Sequence, residues 1–150
     1  MHTPTPAEIR PNVFWFDPPS GGAMYIVRTE DGLVLLDTGL LRHREHFETE
    51  LTVRDLDPEA LCLGFVSHFH CDHVGAMGWW AETFHFPVVA HERAASPMET
   101  ADHVITGSHL PYCGFDEPFV PCPVAHRVQG GEHFEIGERT FTAVYAPGHT

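Results

Sequence analysis

A six-residue segment with the sequence HFHCDH, residues 68–73, follows directly on an apolar run of strand length. An extended segment points residues i and i+2 to the same side, so His68 and His70 can bind one metal ion together. Asp72 and His73 would then turn toward a neighbouring position. A polar surface turn explains three imidazoles and one carboxylate within six residues poorly, because such clustering is rare. The segment therefore predicts a metal-binding loop at the end of a buried strand.

The ligand types indicate that a metal is present more firmly than they indicate which metal. Imidazole nitrogen and carboxylate oxygen suit zinc, and they also suit iron, manganese and nickel. Zinc is the first expectation, with iron or manganese as alternatives.

Length and charge limit the class of protein and of partner. A chain of 150 residues with 43% hydrophobic residues fits one soluble globular domain over residues 1–150. Eight basic against 21 acidic residues give a formal net charge of -13, which would repel a nucleic-acid backbone, although bound cations would offset part of it. We therefore expect a small-molecule substrate and no nucleic-acid partner.

The sequence also bears on location. Residues 1–11 are polar and Pro-rich and do not resemble a signal peptide, and no apolar segment has membrane-spanning length. The four cysteines lack Cys-x-x-Cys spacing, and a domain of this size needs no disulfide framework. We expect a cytoplasmic protein without a membrane partner, and the sequence does not indicate its oligomeric state.

The remaining pattern predicts alternating strands and helices. The Asp31-Gly32 pair signals a hairpin turn, and the charge-rich residues 40–56 fit one amphipathic helix. A stretch rich in Pro and Gly, residues 107–123, predicts a long loop that can cover a site. Strands are predicted at residues 13–16, 23–28, 33–36, 61–66, 86–90, 124–128, 132–136 and 140–145, and shorter helices at 75–84 and 91–96.

Three motifs follow predicted strands: LLDTG at 35–39, HFHCDH at 68–73 and PGHT at 147–150. Their order and spacing resemble the amino-terminal half of the metallo-β-lactamase superfamily, which includes glyoxalase II, lactonases and lactamase-like metallo-hydrolases. The resemblance covers essentially the whole chain. It implies an α/β (α+β) fold, the αββα sandwich, with metals held by loops at one edge of two packed sheets.

The resemblance also assigns roles by position. His68, His70 and His149 would hold one metal, and Asp72 and His73 would belong to a second, so two zinc ions are expected in the complete protein. Asp37 would support these ligands from behind, although it is equally suited to cap the Thr38-Gly39 bend. Without the other motifs, Pro-Gly-His-Thr would be an ordinary turn.

The chain departs from the family because it ends before the second half, which supplies a bridging aspartate and one more histidine. We expect the sequence to be part of a longer protein. Two alternatives are completion of the sandwich by a separate or symmetry-related chain, and a stand-alone half with only the three-histidine site. The last would expose a bare sheet edge and would aggregate or stay partly unfolded.

The expected chemistry is metal-assisted hydrolysis. A cation held by neutral imidazoles keeps its positive charge and lowers the pKa of bound water from about 16 to about 7, which makes a metal-bound hydroxide available. Asp72 is the candidate catalytic residue for orienting water or handling a proton. The substrate would be a small-molecule ester, thioester, lactone or amide, β-lactams included.

Two rival functions remain open. Persulfide dioxygenases of the same superfamily use two histidines and an aspartate around a single iron, so a mononuclear iron oxidoreductase is the leading alternative. A non-catalytic metal-binding homologue is the other. The metal content separates these readings, since one iron favours oxygen chemistry and two zinc ions favour hydrolysis.

Several other residues receive weaker assignments. Cys71 is expected to point away from the metal, so Cys71→Ala should leave metal binding nearly intact. Trp79 and Trp80 suit core packing better than a pocket wall. The other nine histidines are not assigned to the metal. Cys113 and Cys122 lie in the 107–123 loop, where a disulfide or a small metal site is conceivable.

Overall fold

Nine strands and four α-helices form the part of the chain that the computed structural model describes, residues 7–110 and 118–150. The strands are β1 Ala7–Arg10, β2 Val13–Phe16, β3 Met24–Thr29, β4 Gly32–Leu36, β5 Leu61–Phe65, β6 Val88–His91, β7 His126–Val128, β8 His133–Ile136 and β9 Arg139–Thr142. The helices are α1 Arg44–Val53, α2 Cys71–Val74, α3 Met77–Phe84 and α4 Glu92–Glu99, with 3-10 turns at Leu41–His43 and Pro58–Ala60.

The main sheet contains seven strands in the order β1 to β7. Strands β1 to β4 pair antiparallel, and β4 to β7 pair parallel. The predicted hairpin is confirmed, because Thr29 pairs with Gly32 across the β3–β4 turn and Gly32 has a φ of 136°, which glycine adopts without strain. The parallel strands need crossover connections, and α1, α3 and α4 lie in these connections.

The helices cover one face of the main sheet. Phe47 of α1, Trp80 of α3 and Met98 of α4 lie in one hydrophobic cluster with side chains of the sheet. Along β6 the side chains alternate, so Val88 and Ala90 join this cluster while Val89 points to the opposite face. Both faces of the central strands are therefore apolar, which explains their continuous hydrophobic runs.

A separate two-stranded sheet, β8 and β9, packs against the other face. The ring of Phe65 lies 5.3 Å from that of Phe134 and 5.4 Å from that of Phe141, measured between centroids. The two hairpin turns also bond to each other, since Glu30 N donates to Glu138 Oε2 at 2.8 Å and Gly137 N donates to Asp31 Oδ2 at 2.7 Å. The layers are thus helices, main sheet and hairpin, and the predicted mixed α/β class is confirmed.

Several predicted boundaries differ from the structure. The helix predicted at 40–56 is shorter, because Leu41–His43 forms a 3-10 turn and Asp55, with a φ of 55°, ends the helical run. Strand β9 ends at Thr142 rather than at residue 145. Strand β1 was not predicted, because its segment is polar and flanked by prolines, as edge strands tolerate. Among the described residues, no helix combines the length and apolar character needed to cross a bilayer.

Candidate metal centre

The predicted site residues gather at the carboxyl ends of neighbouring strands. Asp37 follows β4 directly, and the 68–73 segment follows β5, the parallel neighbour of β4. Strand β9 leads through residues 143–148 to His149. In open α/β sheets, ligands bind in the crevice outside the carboxyl ends of the strands, so the topology brings these residues to a favourable place for a site.

Three histidines form a cluster at this edge. One ring nitrogen from each of His68, His70 and His149 lies within 4.8 Å of the others. Nδ1 of His70 and Nε2 of His149 are 3.1 Å apart, although the residues are 79 positions apart in the chain. The structure therefore brings together the three residues that the resemblance assigned to the first metal.

The cluster fits a metal ion. Nε2 of His68 is buried and has no hydrogen-bond partner among the described residues. A buried polar nitrogen without a partner is costly, and a cation at the centre of the cluster would satisfy it. Three imidazoles with an open side are also the donor set of catalytic zinc sites, so the chemistry of the ligands agrees with the geometry.

The electrostatics keep two of these rings neutral. Burial, assisted by nearby His73, lowers the pKa of His68 to about 4. Burial and the adjacent His149 lower the pKa of His70 as well. A neutral imidazole is the form that binds metal, so these two residues do not have to release a proton near neutral pH.

Asp72 and His73 form a second group beside the cluster. Both belong to α2, whose single turn places Asp72 Oδ2 3.8 Å from His73 Nε2. The rings of His68 and His73 are 4.2 Å apart between centroids, so the two groups are close neighbours. The hydrogen bond with Asp37 raises the pKa of His73 despite its partial burial. Asp72 and His73 therefore lie beside the histidine cluster.

Asp37 contacts the 68–73 segment and the residue before it through both of its carboxylate oxygens. Its Oδ1 accepts a hydrogen bond from Ser67 N at 2.8 Å, and its Oδ2 faces His73 Nδ1 at 3.0 Å. The residue is only 6% exposed and has a left-handed φ of 55°, which an aspartate in a turn adopts more readily than most residues. Asp37 therefore occupies the turn and also contacts the His73 ring.

Backbone hydrogen bonds fix α2 in place. Gly22 N donates to Asp72 O at 2.7 Å, and Thr38 N donates to His73 O at 2.7 Å. Gly22 also approaches the His73 ring so closely that a Cβ there would lie 2.3 to 2.5 Å from three ring atoms. Only glycine leaves room for this ring at that position.

An open cleft of about 260 Å³ adjoins the histidine cluster. Its lining includes His68, Phe69, His91, Arg93, Tyr145 and Thr150. The ring of Tyr145 stacks on that of His91 at 4.8 Å, and its hydroxyl accepts a hydrogen bond from Arg93 at 3.2 Å. The cleft therefore combines apolar walls with polar groups beside the candidate metal position.

The structure places the weaker candidates outside the site. Cys71 is buried in the hydrophobic core, so its side chain points away from the histidines as predicted. Trp80 is fully buried and Trp79 packs against the same core, and neither lines the cleft. Burial raises the pKa of the Cys122 thiol to about 12. Cys113 and residues 111–117 of the predicted loop lie outside the described residues.

The Metallo-beta-lactamase superfamily model matches residues 17–150. The chain belongs to this superfamily. The probable metallo-hydrolase YqgX of Bacillus subtilis (strain 168) is 25% identical over 126 residues, which is 84% of this chain and 55% of YqgX.

Solved structures of superfamily members show the same fold. BJP-1, a subclass B3 metallo-beta-lactamase of Bradyrhizobium japonicum, superposes with a TM-score of 0.82 at 24% identity, over 97% of this chain and 53% of BJP-1. GOB-18 of Elizabethkingia meningoseptica gives a TM-score of 0.84 at 17% identity, over 98% of this chain and 53% of GOB-18. The chain spans about half the length of these relatives. The predicted superfamily, its amino-terminal half and its fold are confirmed.

Ser67 and Gly22 were not found from the sequence, and neither were the cleft residues His91, Arg93 and Tyr145. Ser67 was not singled out, although its position between a strand and the first histidine was a usable signal. The Gly21-Gly22 pair carried only the signal of a turn. Its contact with His73 depends on long-range packing, and no local pattern encodes such a contact.

Proposed function

We propose that the chain carries the metal centre of a metal-dependent hydrolase that adds water to a small-molecule ester, thioester, lactone or amide. The observation that carries the proposal is the convergence of His68, His70 and His149, with a buried and unpartnered nitrogen on His68. Superfamily membership and the metallo-hydrolase relative favour the same activity. Zinc is the proposed metal, with two ions in the complete protein.

The residues would divide the work by position. His68, His70 and His149 would hold one cation, and Asp72 and His73 would contribute to a second. A divalent cation bound there supplies Lewis acidity, which makes water acidic near neutral pH and polarises a carbonyl oxygen. Asp72 would orient the attacking water or move its proton, because its carboxylate lies 3.8 Å from the His73 ring and also interacts electrostatically with His70 of the cluster.

The cleft beside His68 is the proposed route of the substrate. Its apolar walls suit the body of a small molecule, and the Arg93 guanidinium and Tyr145 hydroxyl can bind a polar substituent. Substrates with a carboxylate near the scissile bond would fit this pairing of charge and hydrogen bonding.

The test combines metal analysis with a substrate screen on the intact protein. We expect elemental analysis of wild-type protein to find zinc, and hydrolysis of at least one thioester, lactone or β-lactam to require it. A single iron with oxygen-dependent activity would favour the oxidoreductase alternative and contradict the proposal.

Matched variants make the assignment specific. His70→Ala should lose metal and activity together, whereas His46→Ala, on the exposed face of α1, should keep both. Cys71→Ala should also keep metal, because its side chain lies in the core. Equal metal content in all three variants would refute the ligand assignment.

A further inference from the structure

Ser67 lies between the supporting aspartate and the first histidine of the cluster. Its hydroxyl oxygen is 2.5 Å from Asp37 Oδ2 and 3.0 Å from His68 Nδ1. Its backbone N–H donates to the other oxygen of Asp37 at 2.8 Å. A single serine therefore contacts both carboxylate oxygens and one imidazole.

The donor and acceptor groups of Ser67, Asp37 and His68 fix the direction of these hydrogen bonds. Two oxygens 2.5 Å apart require a proton between them, and a carboxylate only accepts, so the Ser67 hydroxyl donates to Asp37. A hydroxyl has one proton, so Ser67 can only accept from His68. Nδ1 of His68 must then carry the ring proton, which leaves the lone pair on Nε2, the buried nitrogen without a partner.

His73 is connected to the same oxygen. Its Nδ1 lies 3.0 Å from Asp37 Oδ2, so the ring donates there and presents Nε2 toward Asp72. Asp37 Oδ2 thus receives a hydrogen bond from Ser67 and another from His73. Hydrogen bonds through the Ser67 hydroxyl and Asp37 Oδ2 therefore connect His68 of the cluster to His73 of the second group.

We propose that Ser67 is a positioning residue that sets the tautomer of His68 and couples both candidate metal positions through Asp37 Oδ2. The inference deepens the proposed function and rests on it for the identity of the ligand. Its structural part, the tautomer of His68, holds in the metal-free protein. Mutation of a residue that orients a ligating histidine typically lowers metal affinity by about 10 to 100-fold.

The test compares Ser67→Ala with Ser67→Thr in the intact protein. In metal-free samples, long-range ¹H–¹⁵N NMR reports which ring nitrogen carries the proton. We expect His68 to be protonated at Nδ1 in wild type and in Ser67→Thr, which keeps the hydroxyl. In Ser67→Ala we expect a mixture of the two tautomers, and a zinc affinity of the histidine cluster about tenfold lower.

Ser20→Ala is the matched control, because it removes an exposed hydroxyl that bonds to His43 rather than to the site. It should leave both the tautomer and the zinc affinity unchanged. An unchanged His68 tautomer in a folded Ser67→Ala variant would overturn the inference. Absence of zinc binding in wild type would instead overturn the proposed function, and the tautomer measurement would still decide the role of Ser67.

Discussion

At the residue scale, the site depends on how each imidazole is held as much as on its presence. His68 and His73 present Nε2 because Nδ1 is occupied by Ser67 and by Asp37. The pKa values of the two rings shift in opposite directions, since burial lowers the pKa of His68 and the hydrogen bond with Asp37 raises that of His73. Protons should therefore compete with metal at His73 at a higher pH than at His68.

Acidification should weaken metal binding at the Asp72–His73 position. The pKa of His73 lies above its ordinary value of 6.5, so metal must displace a proton there as the pH falls toward and below that value. His68 has a pKa of about 4 and imposes no such cost above it. We expect zinc affinity at the second position to fall by up to about tenfold for each pH unit below the pKa of His73. His68 and His70, whose pKa values are lowered, add no such cost at the cluster in the same range. Zinc titrations at several pH values measure this, and an affinity at the second position that stays constant as the pH falls below 6.5 would contradict it.

The close approach of Gly22 to the His73 ring leads to a second prediction about a single residue. Gly22→Ala should displace the His73 ring, because the new Cβ would lie 2.3 to 2.5 Å from its atoms. We expect zinc affinity at the Asp72–His73 position to fall by at least about tenfold while the histidine cluster retains its metal. Ser20→Ala, in the same loop, is the control. Wild-type affinity at both positions in Gly22→Ala would show that the ring has room to move.

At the element scale, a hairpin brings the third histidine to the other two. Strand β9 leads to His149, and the β8–β9 sheet is anchored by Phe134 and Phe141 on Phe65 of β5. Since β5 also leads to His68, the Phe65 ring packs together the two elements that lead to the cluster. The packing of the hairpin and the geometry of the site should therefore change together.

Truncation of this ring tests that link. Phe65→Ala should cost about 2 kcal/mol of unfolding free energy, below the usual range for a buried phenylalanine because the ring is only partly buried. Phe65→Ala should also weaken zinc binding at the cluster. Phe65→Leu should lose less unfolding free energy and less zinc affinity. Urea unfolding and zinc titration are the two measurements. Destabilisation with unchanged zinc affinity would mean that the His149 loop is held independently of the hairpin.

Elements and ligands differed in how well the sequence predicted them. The hairpin at Asp31-Gly32, the apolar strands and the 68–73 loop were predictable, because turn chemistry, burial and ligand clustering are local signals. The early end of α1 was not, because it depends on the left-handed backbone at Asp55. Ser67 and Gly22 were not predictable, because Ser67 contacts Asp37 and Gly22 contacts His73, and these partners are about 30 or more positions away in the sequence.

At the scale of the whole molecule, the candidate site joins distant parts of the chain. His70 and His149 are 79 positions apart, and they belong to the main sheet side and the hairpin side of the layered fold. A metal held between them would link the two layers and would add binding free energy to the stability of the folded state. The net charge of -13 on the whole chain favours the binding of cations.

The most direct test is a zinc titration of the intact protein and its His149→Ala variant. If His149 completes the cluster with His68 and His70, the variant should bind zinc at that position more weakly by on the order of 100-fold. The secondary structure measured by circular dichroism should stay unchanged, because His149 is exposed. Zinc affinity equal to that of wild type in a folded His149→Ala variant would show that these three histidines do not share one ion.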